Sequence, residues 1–234
     1  YFNYRNKWTG GHNVVGAPAP DTTFYFAEGT TRRNDTDGHF DEWVCIQNPG
    51  KKAADVTITY YTAGAGVQTQ EVKVDPASRK TVDVWLKLGS DVDASFKVTS
   101  SEPVLVERPM YFNYHNVWAG GHDVMGCAAP RNSFYFAEGT TLLDFNTWVA
   151  VMNTSSSKAT VTFKYMLGDG TNKQATVTVE PNQRYTREVV ADVGINQDVS
   201  ILVESDRLIV AERPMYFGYH GWCPGGHTTL GYGL

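Results

Sequence analysis

Apolar and polar residues alternate along much of this chain. Segment 56–60 reads Val-Thr-Ile-Thr-Tyr, and segment 161–165 reads Val-Thr-Phe-Lys-Tyr. Side chains two positions apart lie on the same face of a β-strand, so these segments predict half-buried strands with one face on a core. No stretch of ten residues carries apolar positions at the spacing of a helix. The pattern therefore predicts an all-β fold.

Turn-forming residues separate the predicted strands. Asn-Pro-Gly stands at 48–50, Ala-Gly-Ala-Gly at 63–66, Asp-Pro-Ala-Ser at 75–78 and Gly-Asp-Gly at 168–170. Glycine, proline, asparagine and aspartate favour the tight turns that join neighbouring antiparallel strands. These turns divide each hundred residues into about seven strands, and that number of strands is typical of a β-sandwich.

The chain repeats itself. Residues 1–31 match residues 111–141 at 21 of 31 positions without a gap. After an extra stretch at 34–38, the offset falls from 110 to 105 and holds up to Met110 and Met215. A third copy begins at Tyr216, and the first residue lies inside the repeated phrase, so we expect a piece of a longer protein. A period of this length fits tandem β-sandwiches better than helical repeats.

The strand register predicts two ion pairs. Glu28 lies on the same strand face as the core residues before it, and Arg108 does so at the end of the last strand. We expect these two strands to run side by side and parallel, as in an immunoglobulin-like sheet. A buried carboxylate and a buried guanidinium each need a partner, so Glu28 should pair with Arg108, and Glu138 with Arg213.

These pairs set the predicted domain boundaries. The fold class is two tandem immunoglobulin-like antiparallel β-sandwiches, at 20–114 and 130–219, joined by Gly-Gly-His connectors. The connectors are 1–19, which belongs to a preceding repeat, 115–129, and 220–234, which starts a third repeat.

Composition and charge exclude several classes of protein. The formal net charge is −5 with no basic cluster, which argues against a nucleic-acid partner. No apolar run is long enough to predict a membrane span. Three cysteines are too few for a disulfide scaffold. We expect Cys45 to be buried in a strand, and a bridge between Cys127 and Cys223 is left open.

Each copy carries a histidine after a Gly-Gly pair: His12, His122 and His227. Because these histidines belong to separate repeats, they cannot easily share one metal ion, and none has a close partner ligand in sequence. We expect them to hydrogen-bond backbone in the connectors, and a ligand-binding role is the alternative.

The insertion of the first copy is acidic, with Asp35, Asp37 and Asp41 closely spaced. Spaced carboxylates can supply oxygen ligands to calcium. The first position of such a loop would be Arg33 and the twelfth Val44, neither of which can bind calcium through its side chain. We expect a solvated loop, with calcium as the alternative and no other cofactor.

A dense aromatic phrase precedes each Gly-Gly-His motif, and in the second copy it contains Tyr111, Tyr114 and Trp118. We expect these rings to pack between successive sandwiches, and stacking on sugar rings is the alternative. Sequence motifs of catalysis are missing: the chain has no Gly-x-Ser-x-Gly, Walker loop or His-Glu-x-x-His.

Several phrases together resemble a known kind of repeat. They are Phe-Tyr-Phe-Ala-Glu-Gly-Thr-Thr at 24–31, Trp-Val-x-Ile-x-Asn at 43–48, Glu-Arg-Pro-Met-Tyr-Phe at 107–112 and Gly-Gly-His-x-x-x-Gly at 120–126. The set resembles tandem repeats of uncharacterised bacterial cell-surface and secreted proteins. The resemblance implies an immunoglobulin-like fold and an exported location, and it implies no catalytic residues.

Three functions follow from the sequence. The first is a non-catalytic extracellular structural or adhesive module, a spacer or interaction surface whose partners are neighbouring repeats and cell-surface polysaccharide or protein. The second is a carbohydrate-binding module that uses the aromatic phrase. The third is a hydrolase with a Glu or His acid–base, which requires a cleft holding an unpaired carboxylate of raised pKa.

Overall fold

The computed structural model describes residues 1–62 and 66–233, and it is almost entirely β, with antiparallel sheets. This confirms the all-β fold. The predicted turn at 63–66 lies outside the described residues except for Gly66. The chain divides into two compact units, Tyr1–Ala129 (unit 1) and Pro130–Leu234 (unit 2). Among the described residues, no helix is both long and apolar enough to cross a membrane.

Unit 1 contains eleven of the described strands and one short helix. In chain order these are β1 (Phe2–Tyr4), β2 (Trp8–Gly10), β3 (Asp21–Phe26), β4 (Arg33–Asn34), β5 (Gly38–Asn48), β6 (Ala54–Thr62), β7 (Gly66–Val74), β8 (Ser78–Asp83), α1 (Val84–Leu88), β9 (Ala94–Glu107), β10 (Met110–Tyr114) and β11 (Trp118–His122).

Two groups of strands form the sandwich-like body of unit 1. The first group has the order β3-β9-β6-β7, and in the second β5 pairs with β4, β8 and β10, while β10 pairs with β11. β9 belongs to both groups, because its first half pairs with β3 and β6 and its end pairs with β5. Val56, Ile58 and Tyr60 of β6 are buried, as the alternation predicts.

Unit 2 repeats the arrangement with one continuous strand, β17, in place of two strands of unit 1. Its elements are β12 (Arg131–Phe136), β13 (Phe145–Asn153), β14 (Ala159–Leu167), β15 (Asn172–Val179), β16 (Arg184–Glu188), α2 (Val190–Val193), β17 (Val199–Tyr219), β18 (Cys223–Leu230) and β19 (Tyr232–Gly233). β17 pairs with β12, β13, β14 and β18, so it takes the places of both β9 and β10.

The two short helices are not predicted by the alternation. The Asp83 side chain accepts a hydrogen bond from Trp85 N at 3.0 Å and caps α1. Gly89 and Gly194 end the helices with φ of 78° and 86°, a conformation that favours glycine. Each helix spans five residues or fewer, which is too short for a periodic signal.

The segment after each Gly-Gly-His motif closes its own unit. In unit 1, Cys127 pairs antiparallel with Tyr25 of β3, and Met125 pairs antiparallel with Glu107 of β9. Segment 124–127 therefore lies between β3 and the end of β9, which makes those two strands parallel to each other. The expected parallel adjacency of these strands is wrong, because a third segment separates them and the direct pairs of β3 with β9, from Phe96 to Val104, are antiparallel.

The sequence assigns segments 115–129 and 220–234 to connectors. Each of them is instead hydrogen-bonded to strands of the unit that precedes it in the chain. In 115–129, β11 pairs with β10. In 220–234, β18 pairs with β17 and β19 pairs with β12. The physical reason is a gap one strand wide between the first strand of each unit and its last long strand. In unit 1 the gap lies between β3 and the end of β9, and in unit 2 between β12 and the corresponding part of β17, and the segment after Gly-Gly-His fills it. The hairpin β1–β2 of segment 1–19 groups with unit 1.

Candidate functional site

The charged residues of the repeated motifs meet at one place in unit 1. Arg108 Nη2 donates to Glu28 Oε2 at 2.7 Å, and Arg108 Nη1 donates to the Glu28 carbonyl at 2.5 Å. Both side chains are buried. The ion pair that the strand register predicts is present, and its two hydrogen bonds fix both ends of the guanidinium.

His122, which the sequence assigns to a connector, lies in β11 beside this pair. Register between β10 and β11 places His122 opposite Met110, two residues after Arg108. His122 Nε2 is 4.0 Å from Glu28 Oε1, and its ring lies 5.6 Å from that of Phe112. We call Glu28, Arg108 and His122 the Glu–Arg–His cluster of unit 1.

A second buried carboxylate lies next to this cluster. Glu42 of β5 is buried, and a Cβ atom on Gly29 would come within 2.7 Å of Glu42 Oε1. Gly29 is therefore needed to let the carboxylate approach the backbone. Burial, with the charge of Glu42 as a smaller cause, raises the pKa of Tyr60.

The same three residue types meet in unit 2. Arg213 Nη1 donates to Glu138 Oε2 at 2.7 Å, and His227 Nε2 lies 3.5 Å from the same oxygen. The cluster is more open, because the side chain of Glu138 is 63% exposed and that of His227 is 38% exposed. Burial and the charge of Arg213 lower the pKa of His227 and favour its neutral form.

The last glycine of Gly-Gly-His-x-x-x-Gly has a steric role. A Cβ atom on Gly126 would lie 2.7 Å from Phe26 Cζ and 2.9 Å from Phe24 Cβ. On Gly231 it would lie 2.7 Å from Phe136 Cζ and 2.9 Å from the Cβ of Phe134. In each unit the last glycine of the Gly-Gly-His-x-x-x-Gly motif thus packs against the two phenylalanines of the Phe-Tyr-Phe motif.

A groove of about 890 Å³ lies on the outer face of unit 1. Its lining includes Cys45, Arg79, Glu107, Tyr111 and Asp123. Arg79 Nη2 donates to Cys45 Sγ at 3.1 Å. Burial raises the pKa of the Cys45 thiol and so favours its protonated form.

Asp123 is the titratable group of interest in this groove. Its Oδ1 atom is buried and has no hydrogen-bond partner among the described residues. Burial and the neighbouring charge of Glu107 raise the pKa of Asp123 to about 7. This is the kind of carboxylate that the hydrolase hypothesis requires. Unit 2 has Thr228 and Ala150 where unit 1 has Asp123 and Cys45.

A second carboxyl group, that of Glu107, lines the same groove close to Asp123. A neighbouring like charge raises the pKa of a carboxyl group, because it disfavours the ionised form. The hydrolase hypothesis stays a prediction.

His12, the first of the three motif histidines, lies in this groove and not in a Glu–Arg–His cluster. Burial lowers the pKa of His12, while the charge of Glu107 opposes that effect. The three histidines are thus divided between two environments, and only His122 and His227 contact a glutamate.

The acidic insertion pairs with arginines. Asp41 is buried and forms ion pairs with Arg33 and with Arg5, the latter at 3.3 Å. Asp37 Oδ1 lies 3.3 Å from Arg32 Nη1. These contacts use two of the three carboxylates that the calcium alternative assigns to a metal, those of Asp37 and Asp41.

The rest of the insertion is held by the turn between β10 and β11. Asn116 Nδ2 donates to the Asp35 carbonyl at 3.0 Å, and His115 Nδ1 lies 2.8 Å from the carbonyl of Thr36. Within residues 1–62 and 66–233, no group of three His, Cys, Asp or Glu side chains is arranged to hold a metal ion.

The aromatic phrase is packed ring against ring in unit 1. Tyr111 stacks on Tyr4 with centroids 4.1 Å apart, and Tyr114 stacks on Trp118 at 5.9 Å. Tyr114 is buried, whereas Tyr111 and Trp118 are partly exposed. One face of Tyr111 is therefore covered by another ring and is closed to a sugar.

The cysteines have different surroundings. Cys127 is buried, Cys45 is half-buried on the outer face of β5, and Cys223 is exposed. All three are described by the structure as thiols, and no disulfide joins Cys127 to Cys223.

Sequence reasoning missed Glu42, Asp123 and a network in unit 2. In that network Asp192 accepts hydrogen bonds from Tyr165 at 2.5 Å and from Arg187 Nε at 2.7 Å. Glu42 and Asp123 differ between the two copies, so the comparison of repeats gave no reason to select them. A charged residue that is present in one copy and absent from the other was the signal that could have selected Glu42 and Asp123.

The comparisons with known proteins do not identify a family. No protein-family model and no curated protein matches the chain. It is similar to the crystal structure of Thermotoga maritima 1070, with 18% identity over 46% of this chain and 94% of that chain and a TM-score of 0.41. It is also similar to the Anabaena sensory rhodopsin transducer, with 24% identity over 37% of this chain and 92% of that chain and a TM-score of 0.31. Function is therefore argued from the side chains alone.

Proposed function

We propose that this chain is a non-catalytic pair of tandem structural repeats, immunoglobulin-like in fold, from the exterior of a bacterial cell. Each repeat acts as a spacer and as an interaction surface. Repeats of this kind extend reach and multiply weak contacts, because each added unit contributes its own length and its own surface.

One observation carries the proposal: the charged residues common to both copies are used to close each unit. Glu28, Arg108 and His122 contact one another where the first strand, the last strand and the Gly-Gly-His segment meet. In unit 1 all three side chains are buried, so a substrate cannot reach them. Residues that recur in both copies therefore have a structural reason to recur.

Pulling on the chain tests the role as a spacer. Under force applied between the two ends, we expect two separate unfolding events, one for each compact unit. The event of unit 1, residues 1–129, should release roughly 450 Å of contour length and that of unit 2, residues 130–234, roughly 370 Å, at about 3.5 Å per residue. A single event that releases both units together, or extension without resolved events, would contradict the proposal.

Labelling of intact cells tests the location. Antibodies raised against the 234-residue chain should bind the producing cells before permeabilisation, and protease added outside should remove the signal. A signal that appears only after permeabilisation would contradict the exported location. A cytoplasmic protein serves as the control for cell integrity.

The groove of unit 1 favours a second candidate function, binding of a hydroxyl-rich ligand such as a polysaccharide. Asp123 Oδ1 is a buried acceptor with no partner among the described residues, and Arg79 and Tyr111 lie along the same groove. A ligand hydroxyl would satisfy this oxygen and offset its desolvation.

A glycan array with three chains tests this candidate. Asp123→Asn should weaken binding of any recognised glycan at least tenfold, whereas Glu204→Gln, an exposed carboxylate of unit 2, should not change it. Equal binding by both variants, or no binding by the original chain, would reject the candidate. Reducing-sugar release measured on the same glycans distinguishes hydrolysis from binding.

A further inference from the structure

Two neighbouring carboxyl groups in the groove of unit 1 lack a counter-charge. Asp123 and Glu107 both line the groove, and the charge of Glu107 acts on Asp123. Among the described residues, no Lys, Arg or His side chain forms an ion pair with either carboxylate. Asp123 is only 9% exposed, and its Oδ1 atom has no hydrogen-bond partner in the described part of the chain. Burying a carboxylate in this way is costly, so a proton or a cation supplied there stabilises the fold.

The cations near this pair make their hydrogen bonds elsewhere. The Arg108 guanidinium donates to Glu28, and its charge offsets only part of the rise in the pKa of Asp123. Arg79 donates to the uncharged Cys45 thiol. Burial lowers the pKa of His12 and favours its neutral form. The groove therefore keeps an excess of negative charge at its two carboxyl groups.

The charge of Asp123 reaches side chains of two other strands in the groove. Burial is the main cause of the raised pKa of Tyr111 and of Cys45, and the charge of Asp123 adds to both. Tyr111 lies on β10 and Cys45 on β5. Asp123 is thus electrostatically coupled to residues around the groove.

The other walls of the groove suit a sugar. Leu105 and Met125 are half-buried and offer apolar surface, while the exposed Gln47 amide and the half-buried Ser78 hydroxyl can exchange hydrogen bonds with ring hydroxyls. A groove of about 890 Å³ is larger than one sugar unit needs. A lysine side chain could use the two carboxyl groups, but it would leave these polar walls without partners.

We propose that the groove of unit 1 binds an amino sugar, a polysaccharide unit that carries a free, protonated amine. Its ammonium group lies against the carboxyl groups of Asp123 and Glu107, and its hydroxyls meet the polar walls. An ammonium group donates three hydrogen bonds and supplies the charge that the pair lacks, whereas a neutral hydroxyl supplies no charge. The inference rests on the second candidate function, polysaccharide binding, and names the class of sugar.

Unit 2 offers an internal comparison. It has Thr228 where unit 1 has Asp123, although Glu212 and Arg184 stand at the positions of Glu107 and Arg79. Threonine carries no charge, so the paired carboxyl groups occur in unit 1 alone. We therefore expect one amino-sugar site per chain.

Binding of an ammonium group should displace a proton from Asp123. Burial and the charge of Glu107 raise the pKa of Asp123 to about 7, so most chains hold this proton at about pH 6. A nearby cation favours the ionised carboxylate. Binding at about pH 6 should therefore release close to one proton per ligand.

Two matched tetrasaccharides test the preference by isothermal titration at about pH 6. One is the tetramer of glucosamine, and the other is the tetramer of N-acetylglucosamine, which has the same rings but no charge. The original chain should bind the glucosamine tetramer at least about tenfold more tightly. Asp123→Asn should lose this preference, whereas Glu204→Gln, which removes an exposed carboxylate from unit 2, should keep it. Asparagine has the shape of a protonated Asp123, and thermal melting verifies the fold of both variants.

Proton release separates a direct role of Asp123 from a structural one. Titrations in buffers of different ionisation enthalpy should show close to one proton released by the original chain at about pH 6, and almost none by Asp123→Asn. Tetralysine carries the same ammonium groups without the sugar rings. It should bind at least about tenfold more weakly than the glucosamine tetramer.

Three results would overturn the amino-sugar proposal. The first is equal binding of both tetrasaccharides, or binding of neither. The second is a preference that Asp123→Asn keeps, and the third is tetralysine binding as tight as that of the glucosamine tetramer. A glycan array that shows recognition of neutral polysaccharides would leave the second candidate function standing in each case. The pulling experiment is independent of all three results.

Discussion

The Glu–Arg–His cluster occurs twice in this molecule, once buried and once open. The Glu28 side chain of unit 1 is 5% exposed, and that of Glu138 in unit 2 is 63% exposed. Each glutamate accepts from the guanidinium of its own unit at 2.7 Å. One motif thus forms the same hydrogen bond in two very different solvent environments.

The difference teaches that contact geometry alone does not set the energetic weight of an ion pair. A buried carboxylate acts on its guanidinium in a low-dielectric site, whereas water already screens a carboxylate at the surface, even where its guanidinium partner is buried, as Arg213 is. Unit 1 adds Glu42 beside its cluster, where unit 2 has Thr147. Unit 1 therefore concentrates more buried charge around the same three residues.

The largest expected effect comes from Glu28→Gln, with Glu138→Gln as its matched control. Glu28→Gln removes a buried carboxylate from buried Arg108 and should lower the free energy of unfolding of unit 1 by about 3–5 kcal/mol. Glu138→Gln should cost less, because water already screens the exposed Glu138 carboxylate, although the Arg213 side chain that it leaves is 3% exposed. Hydrogen exchange of peptides from each unit measures both, and equal losses would refute the comparison.

The glycine of the motif should matter equally in both units. Gly126→Ala and Gly231→Ala each place a Cβ atom 2.7 Å from a phenylalanine Cζ. Overpacking of this kind costs about 1–3 kcal/mol. Urea titration followed by the same exchange measurement checks it. Gly168→Ala, with no atom within 4 Å, is the control and should change stability by less than about 0.5 kcal/mol. A tolerated Gly126→Ala with a damaging Gly231→Ala would show that the two contacts are not equivalent.

Asp123 should make the stability of unit 1 fall as the pH rises, a contribution that unit 2 lacks because it has Thr228 at this position. Its folded-state pKa of about 7 lies above the unfolded value, so the folded state binds the extra proton between about pH 4 and pH 7. The stabilisation is present below the unfolded pKa and is lost as the pH rises through 7. Asp123→Asn should remove a loss on the order of 1 kcal/mol between pH 5 and pH 8. Thermal melts of both chains at the two pH values test this, and parallel pH profiles would contradict it.

The smallest expected effect is that of calcium. Asp37 and Asp41 of unit 1 form ion pairs with Arg5, Arg32 and Arg33, and unit 2 lacks the insertion that contains Asp35 and Asp37. Millimolar calcium should therefore shift the melting temperature of unit 1 by less than about 1 °C, since a ligand stabilises only in proportion to its binding. Calorimetric titration with calcium, and with magnesium as the control, measures the binding directly. A saturable calcium-specific signal would show that the loop binds the ion.

The sequence predicted more of the strands than of the site. Alternation identified the buried face of β6 and its counterpart β14, because a half-buried strand imposes a period of two on its own residues. The register also led to the contact between Glu28 and Arg108, although the strands that carry them are separated by segment 124–127. That third segment carries no local signal of its partner, since pairing with distant strands leaves no short-range pattern.

The repeat and the all-β character of this chain were determined by the sequence alone, because both are written in residue type and spacing. Only the tertiary structure decided that the Gly-Gly-His segments complete their own units, and that Glu28 is buried while Glu138 faces water. Exposure and the pairing of distant strands depend on which surfaces come together in three dimensions. Glu28 and Glu138 stand in the same repeated phrase, so the phrase itself cannot predict their different exposure. The difference arises from the residues that the fold packs around each phrase.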